Sequence, residues 1–145
     1  MRIILVTSIC LAVVFAMSSP ATAQSEQQEA AADMKPLMDY MVYHTQGWGV
    51  LGIDCAAHAP DKEAEPLRIG DQTYNRGLGD HAPSETVFFL AGQFLTFEVQ
   101  CGVQLQTQDL GTVVFKVFVD DQEVFNSGVM RQTNPPQQVR VPVKD

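Results

Sequence analysis

Apolar and polar residues alternate along much of the chain after residue 41. In the clearest stretch, four apolar residues occupy every second position: Val113, Phe115, Val117 and Val119. A period of two is typical of a strand with one face on a core, so these side chains are predicted to face inward and Lys116 outward. Three valines repeat the pattern further on: Val139, Val141 and Val143. Pro142 cannot donate to a strand ladder and favours a sheet edge or a bulge there.

Turn signals separate these strands. Asp120-Asp121-Gln122 predicts a hairpin turn and Asn126-Ser127-Gly128 a second turn, while Gly70-Asp71 divides two shorter strands. The stretch from Gly77 to Ala82 is predicted to be a loop between strands, either a tight connection with a hydrogen-bonded histidine or the rim of a ligand site. About eight short strands without βαβ alternation predict an all-β fold, an antiparallel β-sandwich or barrel.

The N-terminus has a different pattern. A basic start at Arg2, an apolar run from Ile3 to Met17 and the small residues Ala21-Thr22-Ala23 predict a signal peptide over residues 1–23, cleaved near Ala23. The alternative is a buried N-terminal helix. A cleaved leader predicts a secreted or periplasmic protein. Residues 24–41 are predicted to be a linker with a short helix, interrupted by Pro36, and residues 42–145 the β-sandwich.

The charge of the chain restricts its partners. Cleavage would remove one of nine basic residues and none of the 17 acidic ones, which changes the net charge from −8 to −9. Without a Lys/Arg cluster, neither nucleic acid nor an anionic membrane surface has an electrostatic partner. The same charge disfavours polyanionic ligands, such as sulfated glycans, relative to neutral or basic ones.

Two cysteines, Cys55 and Cys101, would remain after cleavage. In an exported chain they are predicted to form a disulfide, and two buried free thiols are the alternative. Isolated cysteines and three scattered histidines do not have the spacing of a zinc site.

Candidate chemistry is limited to binding. Asp80, His81 and Ser84 do not predict a catalytic relay, because neighbouring strand residues point to opposite faces. Trp48, Tyr74 and His81 lie at strand ends or in loops, where an aromatic face can stack on a sugar. Each of the three has an alternative structural role. The sequence therefore predicts a non-catalytic carbohydrate-binding protein, or else a structural or protein-interaction module without a sugar site.

Several motifs in order resemble a known family, the NPCBM domain, a carbohydrate-binding module found beside family-98 glycosyl hydrolases. They are Pro66–Gly70, Tyr74–Ala82 with Ser84, Phe97, Gly102-Val103, Gly111–Val117 and Ser127–Met130. The resemblance runs from about Trp48 to the C-terminus. It implies a galactose-binding-like jelly roll in an exported bacterial protein.

The resemblance also implies that further C-terminal strands, carrying an aspartate and a tryptophan, are missing after Asp145. We therefore expect an open sheet edge, with lower stability or self-association. Related modules hold a structural calcium ion partly through C-terminal residues, so no calcium ligand is assigned in this chain.

Overall fold

The computed structural model of the chain describes residues 1–7, 11–18, 37–104 and 111–143. These residues form one 3₁₀ turn, Leu37–Tyr40, and twelve strands. The strands are β1 (Arg2–Thr7), β2 (Leu11–Ser18), β3 (Met41–Gln46), β4 (Gly52–Ile53), β5 (Leu67–Ile69), β6 (Gln72–Tyr74), β7 (Leu78–Asp80), β8 (Ser84–Phe89), β9 (Thr96–Gly102), β10 (Thr112–Val119), β11 (Gln122–Arg131) and β12 (Gln137–Pro142).

Ten of the strands form two five-stranded sheets. The first sheet has the order β11-β10-β1-β8-β3 and the second the order β12-β9-β2-β7-β4, while β5 and β6 form a separate hairpin. Neighbouring strands are antiparallel. One hydrophobic core joins inward residues of both sheets, which confirms the predicted all-β sandwich. Among the described residues, no helix has the length and apolar character needed to cross a bilayer.

The alternating positions of β10 face the core as predicted. Val113, Phe115 and Val117 are at most 3% exposed, and Val119 packs against the same core from a half-buried position. Lys116 points away from the core and pairs with Glu123 on β11, with Nζ 2.7 Å from Oε2. The prediction for the last strand is also confirmed, because β12 lies at the edge of the second sheet and ends at Pro142.

Residues 2–7 and 11–18 each contribute the central strand of one sheet. β1 pairs with β8 and β10, and β2 pairs with β7 and β9. An apolar run rich in β-branched residues suits a fully buried strand as well as a leader, so its pattern alone does not distinguish them. In the uncut chain the sandwich therefore includes residues assigned above to a signal peptide. Cleavage near Ala23 stays a prediction, since residues 19–36 lie outside those described.

Three glycines let a loop lie flat on the outer face of the second sheet. Gly52 pairs with Gly79, Gly79 with Ala12, and Ala12 with Gly102 across β4, β7, β2 and β9. A Cβ on any of the three glycines would collide with residues 55–57 or with Ile69. The segment from residue 54 to the β5–β6 hairpin therefore covers this face, and small residues are required beneath it.

Local turns differ partly from the predictions. The hairpin turn is confirmed: Asp120 and Asp121 have φ of 45° and 69° between β10 and β11. The second predicted turn is wrong, because β11 continues through residues 126–128 and accommodates Gly128, with φ of 64°, beside a register shift. The predicted loop from Gly77 to Ala82 is also wrong at its centre, where β7 is hydrogen-bonded on both sides. Most of the predicted linker helix, residues 24–36, lies outside the described residues.

The predicted disulfide is not formed, because Cys55 and Cys101 lie on opposite sides of the second sheet. The Cys101 side chain is 3% exposed and belongs to the core between the sheets. Cys55 lies in the covering loop, and its carbonyl is above Gly79 on the outer face. Both are free thiols. Burial raises the pKa of Cys101 to about 12, so this thiol is unreactive at neutral pH.

Candidate carbohydrate-binding site

Two loops meet at one end of the sandwich. Residues 47–51 connect β3 to β4, and residues 81–83 connect β7 to β8. The N–H of Gly47 donates to the carbonyl of His81 at 3.1 Å. Gly49 has φ of 77°, and a Cβ there would lie 2.7 Å from Nδ1 of His81. A glycine is therefore required at this position both by its backbone conformation and by the closeness of the histidine ring.

This contact places Trp48 on His81. The two rings are stacked, with centroids 3.9 Å apart and planes 19° from parallel. Trp48 is 58% exposed, whereas His81 is only 8% exposed. One face of the indole thus covers the imidazole and the other faces solvent. An indole held by a ring behind it is a rigid, flat apolar surface, which is the requirement for stacking on the apolar face of a sugar.

Hydrogen bonds fix the orientation of His81. Its Nδ1 lies 3.1 Å from the carbonyl oxygen of Trp48, which can only accept, so Nδ1 carries the proton. The side chain of Gln46 accepts from the backbone N–H of His81 at 3.4 Å. Burial lowers the pKa of His81, and the neighbouring His58 lowers it further, although the carbonyl of Trp48 acts in the opposite direction. The ring is therefore neutral at pH 7, with Nε2 as its acceptor.

Apolar side chains continue from Trp48 along the same loop. Val50 is 38% exposed and Ile53, on the edge strand β4, is 53% exposed. Val50 forms an isolated β-bridge with His58, which attaches this loop to the covering segment of the second sheet. The exposed surface around the indole is thus built on backbone that is hydrogen-bonded on both sides. The sequence did not indicate the supporting roles of Gln46 and His58, because both depend on contacts between distant segments.

Tyr74 lies apart from Trp48 and His81. Its ring packs against Leu67 and Ile69 in the β5–β6 hairpin, and its hydroxyl is 2.7 Å from Oε1 of Gln100 on β9. Gln100 on β9 lies two strands away from β7 and three residues along the sheet from Asp80, the last residue of β7. The backbones of Gln100 and Asp80 are therefore about 14 Å apart. Of the three predicted residues, the structure therefore brings Trp48 and His81 together and places Tyr74 elsewhere.

A buried polar cluster lies between the sheets at the same end. Asp80 is 1% exposed, and its Oδ1 is 3.8 Å from Nε2 of His44. His44 also contacts the hydroxyl of Thr86 at 3.0 Å. Burial raises the pKa of Asp80, although Ser84, His44 and the backbone N–H of His81 favour its charged form. A substrate cannot reach a carboxyl that is 1% exposed, so this cluster supports the loops and offers no accessible catalytic group.

No cation site is evident in the parts of the chain that the structure describes. Within residues 1–7, 11–18, 37–104 and 111–143, His, Cys, Asp and Glu side chains do not gather in groups of three or more that could hold a metal ion.

Comparison with known proteins identifies a family model and a relative. The model of the NPCBM/NEW2 domain matches residues 27–145. A protein of Renibacterium salmoninarum named "Putative endo-alpha-N-acetylgalactosaminidase" is 29% identical over 107 residues. The aligned region covers 73% of this chain and 7% of that protein, so the chain corresponds to a small part of the relative. No solved structure is significantly similar to the chain.

Proposed function

The chain belongs to the NPCBM/NEW2 domain family, and from this premise we propose that it is a secreted, non-catalytic carbohydrate-binding module whose ligand stacks on the exposed face of Trp48. The stacked pair of Trp48 and His81 is the observation that carries the proposal. The indole is 58% exposed and is held in one orientation before binding, so a stacking ligand does not have to order it.

The site is a flat apolar face supported by a buried ring. A pyranose presents C–H groups on one face and hydroxyls at its rim, so the exposed face of the indole takes the apolar face of the sugar while the buried His81 ring holds the indole from behind. Tyr74 has a structural role in this proposal, since its hydroxyl lies 2.7 Å from the side-chain oxygens of both Gln72 on β6 and Gln100 on β9 and donates its one proton within this pair.

The relative's name indicates the ligand class. That protein is named for hydrolysis of α-linked N-acetylgalactosamine, and a binding module in such an enzyme benefits from recognising the same glycans. We therefore propose that the ligand of this chain is a neutral glycan that carries N-acetylgalactosamine. The negative net charge of the chain disfavours sulfated glycans at low salt.

Exposed apolar residues elsewhere favour a second candidate function, a protein-interaction module. Tyr43, Phe89 and Val129 on strands of the first sheet are between 52% and 66% exposed. The covering loop packs on the second sheet, whereas these three side chains of the first sheet are exposed among the described residues, and a protein partner is the ligand expected for them.

A glycan array separates the two functions. The full chain is compared with Trp48→Ala and with Phe89→Ala, which removes an aromatic ring of similar exposure (53%) from the end of β8 remote from the site. We expect Trp48→Ala to weaken glycan binding at least about tenfold, roughly 1.4 kcal/mol, and Phe89→Ala to leave it unchanged. Equal binding by all three proteins would remove Trp48 from the site, and absence of binding to any glycan would favour the protein-interaction function.

A further inference from the structure

The strands β1 and β2 complete the two sheets from the inside. β1 is hydrogen-bonded to β8 on one side and β10 on the other, over registers that run from Arg2 to Thr7 and from Ile3 to Thr7. β2 is paired in the same way with β7 and β9. Without these strands, β8 and β10 would lose their shared neighbour, and so would β7 and β9. Each sheet would then have two inner strands with unpaired N–H and C=O groups.

Side chains of β1 are part of the core. Ile3 is fully buried and Leu5 is 7% exposed, and both contribute to the cluster that joins the sheets. The backbone N–H of Arg2 donates to Oδ1 of Asp120 at 2.6 Å, and Asp120 returns a bond from its N–H to the carbonyl of Arg2 at 3.0 Å. The strand is therefore fixed at its first residue as well as along its length.

The family model matches residues 27–145 and leaves β1 and β2 outside the matched region. The matched part of this chain consequently contains ten of the twelve described strands and an open position at the centre of each sheet. The two open positions face each other across one core. Each position accepts one extended segment, and β1 and β2, which occupy them here, are separated by three residues in the chain.

We propose that the matched part of the chain is an acceptor for two β-strands, one in each sheet, and that residues 2–18 of this chain are the strand donor. Addition of a strand to open sheet edges gives affinity through main-chain hydrogen bonds and specificity through pockets for alternate side chains. In the acceptor, the positions of Ile3 and Leu5 are such pockets. The segment that is predicted to direct export also completes the fold while it is attached, and a cut near Ala23 turns it into a non-covalent ligand of the sandwich.

The test uses the full chain with a protease recognition sequence inserted between Gln24 and Ser25, in the segment that precedes the matched strands. The protein is made in a membrane-free translation system so that it stays uncut, and is then cleaved after folding. Light scattering coupled to gel filtration shows whether the N-terminal fragment stays with the remainder. A fluorescent peptide of residues 2–18 is added to the cleaved protein to measure exchange.

We expect the fragment to co-elute with the remainder and the labelled peptide to replace it saturably. A peptide with Ile3→Asp should bind at least about tenfold more weakly, because it places a charge in the core, whereas Ile4→Asp, on the outward and half-buried face of the strand, should retain binding. Release of the fragment would overturn the proposal, whether the remainder melts unchanged as a monomer or pairs with a second copy. Equal binding of the Ile3→Asp and unmodified peptides would overturn it as well.

Discussion

At the scale of single residues, Trp48 and His81 form one surface although 33 positions separate them in the chain. Both could be identified from the sequence as aromatic residues at strand ends. Their stacking could not, because it depends on Gly47 and Gly49 bringing one loop against the next. Tyr74 matched the same criterion and lies elsewhere, since its hydroxyl is bonded to Gln100 on β9. Residue type and loop position therefore selected the candidates, and tertiary contacts determine which of them lie together.

Protonation of His81 should weaken the fold. Burial lowers its pKa below the ordinary value of 6.5, so the unfolded chain binds more protons than the native chain as the pH falls through 6.5. The His81 contribution to stability is thus complete above about pH 6.5 and is lost at lower pH. His81→Asn retains an N–H donor for the carbonyl of Trp48 and does not titrate.

Urea unfolding between pH 5 and pH 8 checks this prediction. The difference in unfolding free energy between the native chain and His81→Asn should increase with pH up to about 6.5 and then stay constant. Because Asp80 is present in both proteins, its own titration cancels to first order in the difference. A difference that is independent of pH would contradict the assigned burial of the imidazole.

At the scale of elements, hydrophobic alternation predicted the strands that have one face on the core. β10 and β12 follow their predicted parity. β7 was not predicted, because its Gly-Asp sequence resembles a turn, and its strand conformation comes from pairing with β2 and β4. The glycine of this strand is explained by the loop above it, which approaches more closely than a side chain would allow.

Gly79→Ala tests the close approach of that loop. A Cβ at residue 79 would collide with backbone atoms of Cys55, Ala56 and Ala57, so the loop must move away from the sheet. We expect a loss of about 3 kcal/mol in unfolding free energy. Gly92→Ala is the control, since its Cβ enters open space and only its φ of 69° is unfavourable, at about 1 kcal/mol. Equal destabilisation by the two substitutions in thermal melts would contradict the role assigned to the glycine row.

At the scale of the whole molecule, the sequence predicted the sandwich class and the family but not the arrangement of the N-terminus. The run from Ile3 to Met17 satisfies the requirements of an export signal and of buried strands, since both select apolar residues. The disulfide prediction failed because cysteine count and compartment do not reveal which side of a sheet each residue occupies. Sheet order and the site at its end are set by long-range pairing, which a single sequence does not specify.

The central claim is that the exposed face of Trp48 binds a sugar, and the fluorescence of this residue tests it most directly. Trp48 is the single tryptophan of the chain, so its emission reports on this site alone. Titration with an N-acetylgalactosamine-containing glycan at pH 7.5 should produce a saturable change in emission. The dissociation constant from this change should equal the one from calorimetry, and Phe89→Ala should have the same constant. Saturable binding in calorimetry without any change in the emission of Trp48 would contradict the claim.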